Sequence, residues 1–206
     1  MKPTKLLPPL ALGLALAVPA VPTARGDTAD EKHYFVRIGD RAPAFELLDD
    51  QGRKWKLSDH LGKRLLVLFF YMGDFMPPCA REACAFRDDL ARIKQQGVEV
   101  VGISGDLPAN HALFKETYKL GFTLLSDQKG EVGKRFGLPM SAGGTYRIKD
   151  REGDDVPLVR GATAARWTWV IGLDGRVLDK CTKVKPAEES KRILALLRKW
   201  RAQQRR

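Results

Sequence analysis

Two stretches of the chain, LLVLFFY at 65–71 and VEVVGIS at 98–104, are continuously apolar, β-branched or aromatic, as strands covered on both faces must be. Between them Phe86, Leu90 and Ile93 recur at helical spacing over 78–96, and Gly97 supplies the stop. This predicts a β-α-β unit, and hence a parallel strand pair with a right-handed crossover. A second helix follows Pro108, with Leu113, Phe114 and Tyr118 at its apolar positions, and then a short strand, FTLLS. RWTWVIGLDGRVLDKCTKV, at 166–184, reads as two strands about the turn Asp174-Gly175, a hairpin. A final helix begins near Pro186 and turns Ile193, Leu197 and Trp200 inward. MSAGGTYRIKDREGDD, at 140–155, reads as a loose loop, and no internal repeat interrupts the chain.

Parallel β-α-β, then hairpin, then helix is the order of a thioredoxin-like α/β domain, a central mixed sheet flanked by helices. The first 26 residues stand apart from it. Lys2 and Lys5 precede an apolar run from Leu6 to Val21, and small residues at Ala20 and Gly26 offer cleavage sites. That is a secretory pattern, and it leads us to expect an exported, periplasmic or extracellular protein. Prolines at 8, 9, 19 and 22 weigh against an uncleaved membrane anchor. The domain proper is then 27–206, long enough to bury one core.

Charge changes this picture little. Removing Lys2, Lys5 and Arg25 takes the net charge from +11 to +8, and six of those eight sit in 185–206, where eight Lys or Arg face Glu188 and Glu189. A basic tail can meet nucleic acid or an anionic membrane. An amphipathic helix with a solvated face explains it more simply, and its charges suit a helix C-terminus. His33, His60 and His111 lack metal-ligand spacing and read as surface or structural residues.

The chemistry lies in FFYMGDFMPPCAREACAFRDD, at 69–89. Pro78 suits the first position of a helix, which puts Cys79 in the first turn, where the dipole and free N–H groups favour a thiolate. Five helical residues rise about 7.5 Å, whereas disulfides rarely join α-carbons more than about 7 Å apart. Cys79 and Cys84 therefore cannot pair while the helix is wound, and a two-step redox cycle fits them better than a static crosslink. Cys181, on the second hairpin strand, is the odd thiol: an alternative resolving thiol, or more simply a half-buried strand residue.

These residues resemble the peroxiredoxin family, specifically its peroxiredoxin Q (bacterioferritin comigratory protein) group. The resemblance runs from about residue 38 to 182. It rests on GDRAPAFELLDDQG, LSDHLGK, FFY, CAREACAFRDD, VEVVGISGD, HALFKETYKLGFTLLSD and RWTWVIGLDG in that order. It implies reduction of hydroperoxides without haem, flavin or metal, with Cys79 as peroxidatic and Cys84 as resolving cysteine. Arg166 would hold the thiolate and polarise the peroxide, and an external thioredoxin-like dithiol would be the reductant. Glu82 matches a family position and would organise the pocket through hydrogen bonds, or equally serves only the electrostatics of the helix N-terminus. The chain departs from the family pattern where Met72 replaces a proline, Met76 a threonine or serine, and Pro78 a residue with an N–H. Each of the last two removes a polar contact to bound peroxide, and together they point to a slow enzyme. Met72, Phe75 and Met76 make the mouth apolar and soft, which suits bulky organic hydroperoxides or equally marks drift in a site no longer selected for speed. Two other readings stay open: a thiol–disulfide oxidoreductase acting on proteins, and a thioredoxin-fold binding module that has lost the chemistry.

Overall fold

The computed structural model describes residues 35–149 and 153–204; the expected secretory segment and His33 lie outside these described residues. Strands β1 (Glu46–Asp49), β2 (Lys54–Lys56), β3 (Leu65–Phe70), β4 (Val98–Ser104), β5 (Thr123–Ser126), β8 (Trp167–Ile171) and β9 (Val177–Cys181) form one seven-stranded sheet, in the order β2-β1-β5-β4-β3-β8-β9. Strands β3, β4 and β5 are parallel neighbours, and the outer pairings are antiparallel, so the sheet is mixed. Helix α1 (Pro77–Gln95) makes the crossover from β3 to β4, and α2 (Pro108–Tyr118) the crossover to β5. The short α3 (Glu131–Arg135) and the terminal α4 (Glu189–Gln204) complete the main body.

Pleating of β3 divides the core. Val67 and Phe69, continued by Tyr71, point to the side of α1, where Phe86, Ile93, Phe114, Ile193 and Leu197 are buried. Leu66, Leu68 and Phe70 point the other way, among Val101, Ile103, Phe136 and Trp169. A strand with an apolar layer on each face has no polar positions to alternate, so its sequence is a continuous run. Phe69 and Phe86 stack with ring centroids 4.8 Å apart, which seats α1 on the strand that precedes it.

Helix α4 packs as expected, with Ile193 and Leu197 buried and Trp200 against the same cluster, although its first residue is Glu189, three beyond Pro186. Helix α1 opens one residue earlier than the sequence implied: Pro77 and Pro78 both lie in its first turn, with Met76 as N-cap.

The region read as a loose loop is a second, two-stranded antiparallel sheet, β6 (Met140–Lys149) paired with β7 (Asp155–Ala164) from Met140↔Ala164 to Lys149↔Asp155. Glycines and charged residues hide the strands, because most side chains of β6 meet solvent. β7 approaches the end of β4 very closely. Gly161 N–H donates to the Gly105 carbonyl at 2.9 Å, and a Cβ on Gly105 would lie 2.0 Å from the Ala162 oxygen.

Candidate active site

The end of β3 releases the chain into a short approach to the first turn of α1, at the carboxyl edge of the parallel strands, where α/β sheets carry their chemistry. Cys79 is 1% exposed and Cys84, one and a half turns on, is half-buried; both are free thiols. The prolines change what this helix start can offer. Pro77 and Pro78 have no N–H, while the Cys79 and Ala80 N–H groups both donate to the Met76 carbonyl, at 2.8 and 2.9 Å. Of the four N–H groups that a helix start leaves free, two are missing at the prolines and a third, that of Cys79, is taken by the N-cap carbonyl.

A guanidinium supplies what the helix terminus does not. Arg166, just before β8, donates from Nη2 to Cys79 Sγ at 3.1 Å and from Nη1 to Glu82 Oε2. Glu82 is fully buried one turn along α1, and its Oε1 has no partner. Burial pushes the Glu82 carboxyl up to about 8, with Arg166 opposing the shift and Glu189 adding to it. Cys79, Glu82 and Arg166 are therefore brought together as the sequence suggested. Met72, Phe75 and Met76 pack against the same cluster as Cys79, and the Phe75 ring meets Phe114 and Tyr118 edge-on or tilted at 5.1 and 5.9 Å.

Cys181 stands apart from them, half-buried at the end of β9, where burial, with Glu189, pushes its thiol up. His60 stacks on Trp55 at 4.2 Å and pairs with Glu99. His111 is more than a lone histidine. It is fully buried, and its Nδ1 lies 2.8 Å from Asp74 Oδ2. Burial lowers its basicity, but the Asp74 carboxylate more than offsets this and leaves the ring above its ordinary value. No group of three or more metal-ligating side chains occurs among the described residues.

Two residues beside the site do not announce themselves in the sequence, Tyr146 on β6 and Arg160 on β7. Arg160 is 9% exposed and reaches Met76 Sδ from Nη1 at 3.5 Å and Asp106 from Nε. Tyr146 Oη donates to the Asp74 carbonyl at 2.5 Å. The one signal for Arg160 is the alternation of PLVRGATA, which places it with Leu158, Ala162 and Ala164 on the buried side of a strand.

A thiol on the first turn of a helix, an arginine on its sulfur and a sheet of this topology define a thioredoxin-fold protein built around one cysteine. The sequence pattern of the AhpC/TSA family matches residues 38–180, and the chain belongs to that family. Chloroplastic peroxiredoxin Q of Oryza sativa subsp. japonica is 49% identical over 110 residues, 53% of this chain and 50% of its own length. The chain spans about half the length of the curated relatives it matches. Among solved structures, peroxidoxin BcpB from Mycobacterium tuberculosis is 32% identical, with a TM-score of 0.64 over 79% of this chain and 97% of its own. Peroxiredoxin Q from Xanthomonas campestris is 25% identical, with a TM-score of 0.60 over 75% and 89%.

One expectation is overturned by these relatives. The rice protein and its counterparts from Populus jackii and Arabidopsis thaliana are named as chloroplastic, which contradicts a periplasmic or extracellular address. Basic residues ahead of a short apolar run are a coarse signal, and they do not by themselves identify export.

Proposed function

We propose that the protein is a thiol-dependent peroxidase that reduces hydroperoxides, with Cys79 as the attacking thiol and Cys84 as its resolving partner. The contact of Arg166 with both Cys79 and the buried Glu82 is the observation that carries this reading. The Cys79 sulfur attacks one peroxide oxygen, the O–O bond breaks, and the thiol proton ends on the departing alcohol. Sulfur is oxidised to the sulfenic acid, and Arg166 offers donors to the charge that develops on oxygen. The Cys84 sulfur then displaces water from Cys79, closing a disulfide once the first turns of α1 unwind. A thioredoxin-like dithiol returns both cysteines to thiols.

Two substitutions make the enzyme slow. Met76 brings a thioether where the family has a hydroxyl, and Pro78 brings no N–H. Each lost donor costs on the order of 10² to 10³ in rate. The apolar mouth formed by Met72, Phe75 and Met76 selects organic hydroperoxides over hydrogen peroxide. The decisive comparison is the second-order rate of thiol oxidation by cumene hydroperoxide and by hydrogen peroxide, in the native protein and in Cys79→Ser. Saturating loss of one thiol pair only when Cys79 is present supports the reading. Rates equal to those of free cysteine would overturn it.

Engagement of the Cys79 N–H by the Met76 carbonyl favours a second reading, exchange with protein disulfides, which needs no donor to a peroxide oxygen. It predicts reduction of a protein disulfide at a rate unaffected by Met76→Thr.

A further inference from the structure

The segment that leads into Cys79 is held in a conformation its residues do not favour. Phe75 has φ +59°, in the left-handed region where an aromatic side chain is rare. Such a geometry persists only where the surroundings over-determine it. Here they do, and many of the restraints come from the β6–β7 hairpin.

Tyr146 Oη lies 2.5 Å from the Asp74 carbonyl and 3.2 Å from Asp106 Oδ1. Asp106 Oδ2 accepts from the Asp74 N–H at 3.0 Å. Arg160 Nε faces both Asp106 oxygens at 3.3 and 3.4 Å, and its guanidinium carbon sits 4.7 Å over the Tyr146 ring. The same guanidinium crowds Gly73, where an added Cβ would fall 1.8 Å from Nη2. Its Nη1 donates to Met76 Sδ at 3.5 Å, while Nη2 is buried with no hydrogen-bond partner. Met76 in turn is the N-cap whose carbonyl holds the N–H groups of Cys79 and Ala80. A continuous set of contacts thus runs from the hairpin, through Gly73, Asp74 and Met76, to the first turn of α1.

We propose that the β6–β7 hairpin is a latch on the Cys79 turn, with Tyr146 and Arg160 as positioning residues that keep α1 wound and hold back the Cys79–Cys84 disulfide. This rests on the peroxidase reading only for the chemistry that follows opening. Once Cys79 is a sulfenic acid, two reactions compete. Attack by Cys84 releases water and gives the disulfide. Attack on a second hydroperoxide molecule breaks its O–O bond, transfers one oxygen to sulfur and releases an alcohol, giving the sulfinic acid. The first reaction needs the latch open and the second does not, so latch strength sets the partition between them.

Hydrogen exchange of the reduced protein, followed by mass spectrometry, reads the latch without any peroxide. The amides of 79–84 report the turn, and those of β3 serve as the internal reference. Removing the hydroxyl in Tyr146→Phe deletes about one net hydrogen bond, which corresponds to about a three- to tenfold rise in exchange at 79–84. Arg160→Met gives a larger rise, and Arg160→Lys falls between Arg160→Met and the native protein. Oxidation by diamide, which takes two hydrogens from a thiol pair, forms the Cys79–Cys84 disulfide faster by a similar factor in each variant. Under excess cumene hydroperoxide the same variants give less sulfinic acid at Cys79. Exchange and diamide rates unchanged from the native protein in Tyr146→Phe would overturn the latch. Faster diamide oxidation without any reaction of Cys79 with hydroperoxide would leave the latch standing and overturn the peroxidase. Should Arg160→Met fail to fold, Tyr146→Phe carries the test, since it removes a single oxygen.

Discussion

Glu82 ought to make the protein less stable as the pH rises through neutrality, and Glu82→Gln ought to abolish that loss. The carboxyl is fully buried, Oε1 has no partner, and burial raises it from 4.5 to about 8. A group whose folded value lies above its unfolded value stabilises the fold fully below the unfolded value, and that stability is lost as pH rises through the folded one. Between about pH 4.5 and 8 the folded state keeps a proton that the unfolded chain releases. At about 1.4 kcal/mol for each pH unit of that interval, the loss is on the order of 5 kcal/mol. Urea unfolding of both proteins at about pH 5 and about pH 8.5 measures it, because groups common to the two cancel in the difference. The variant should gain several kcal/mol on the native protein between those pH values. A difference that is flat with pH, or that moves in favour of the native protein, would show that Glu82 is already ionised in the fold, and that Arg166 outweighs burial.

Three further outcomes follow from the same contacts. Arg166→Met removes the donor at 3.1 Å from Cys79 Sγ and should slow peroxide oxidation of Cys79 by about 10² to 10³, read by stopped-flow tryptophan fluorescence. Met76→Thr restores a hydroxyl at the N-cap and should speed that oxidation by about tenfold or more; an unchanged rate would show that the missing hydroxyl is not what slows the enzyme. Phe86→Ala takes a fully buried ring off Phe69 and should cost about 3–5 kcal/mol in urea unfolding without altering which cysteine reacts.

What could be read from the sequence divides along the physics of each segment. β3, α1 and β4 were legible because a strand buried on both faces is one unbroken apolar run, and because a helix stopped by a glycine keeps its period. Gly97, with φ +72°, is the point where that helix ends. Cys79, Glu82 and Arg166 were legible as a group through their motif context, although 87 positions separate the first from the last. β6 and β7 were not legible: one carries glycines and mostly exposed side chains, the other a proline and an arginine within its run. With them went Tyr146 and Arg160, whose roles depend on where the hairpin docks. The pairing of His111 with Asp74 joins residues 37 apart, and no local spacing could announce it. The short β1–β2 hairpin, of four and three residues, lay below the length at which alternation can be recognised.

The cysteine chemistry stands or falls on one reaction: the reduced protein mixed with one equivalent of cumene hydroperoxide and followed to completion, with intact mass and peptide mapping at the end. Oxidation should run faster than that of free cysteine, with loss of two hydrogens and a single linked peptide joining Cys79 to Cys84. Cys79 recovered as a thiol, or a disulfide that instead engages Cys181, would contradict it.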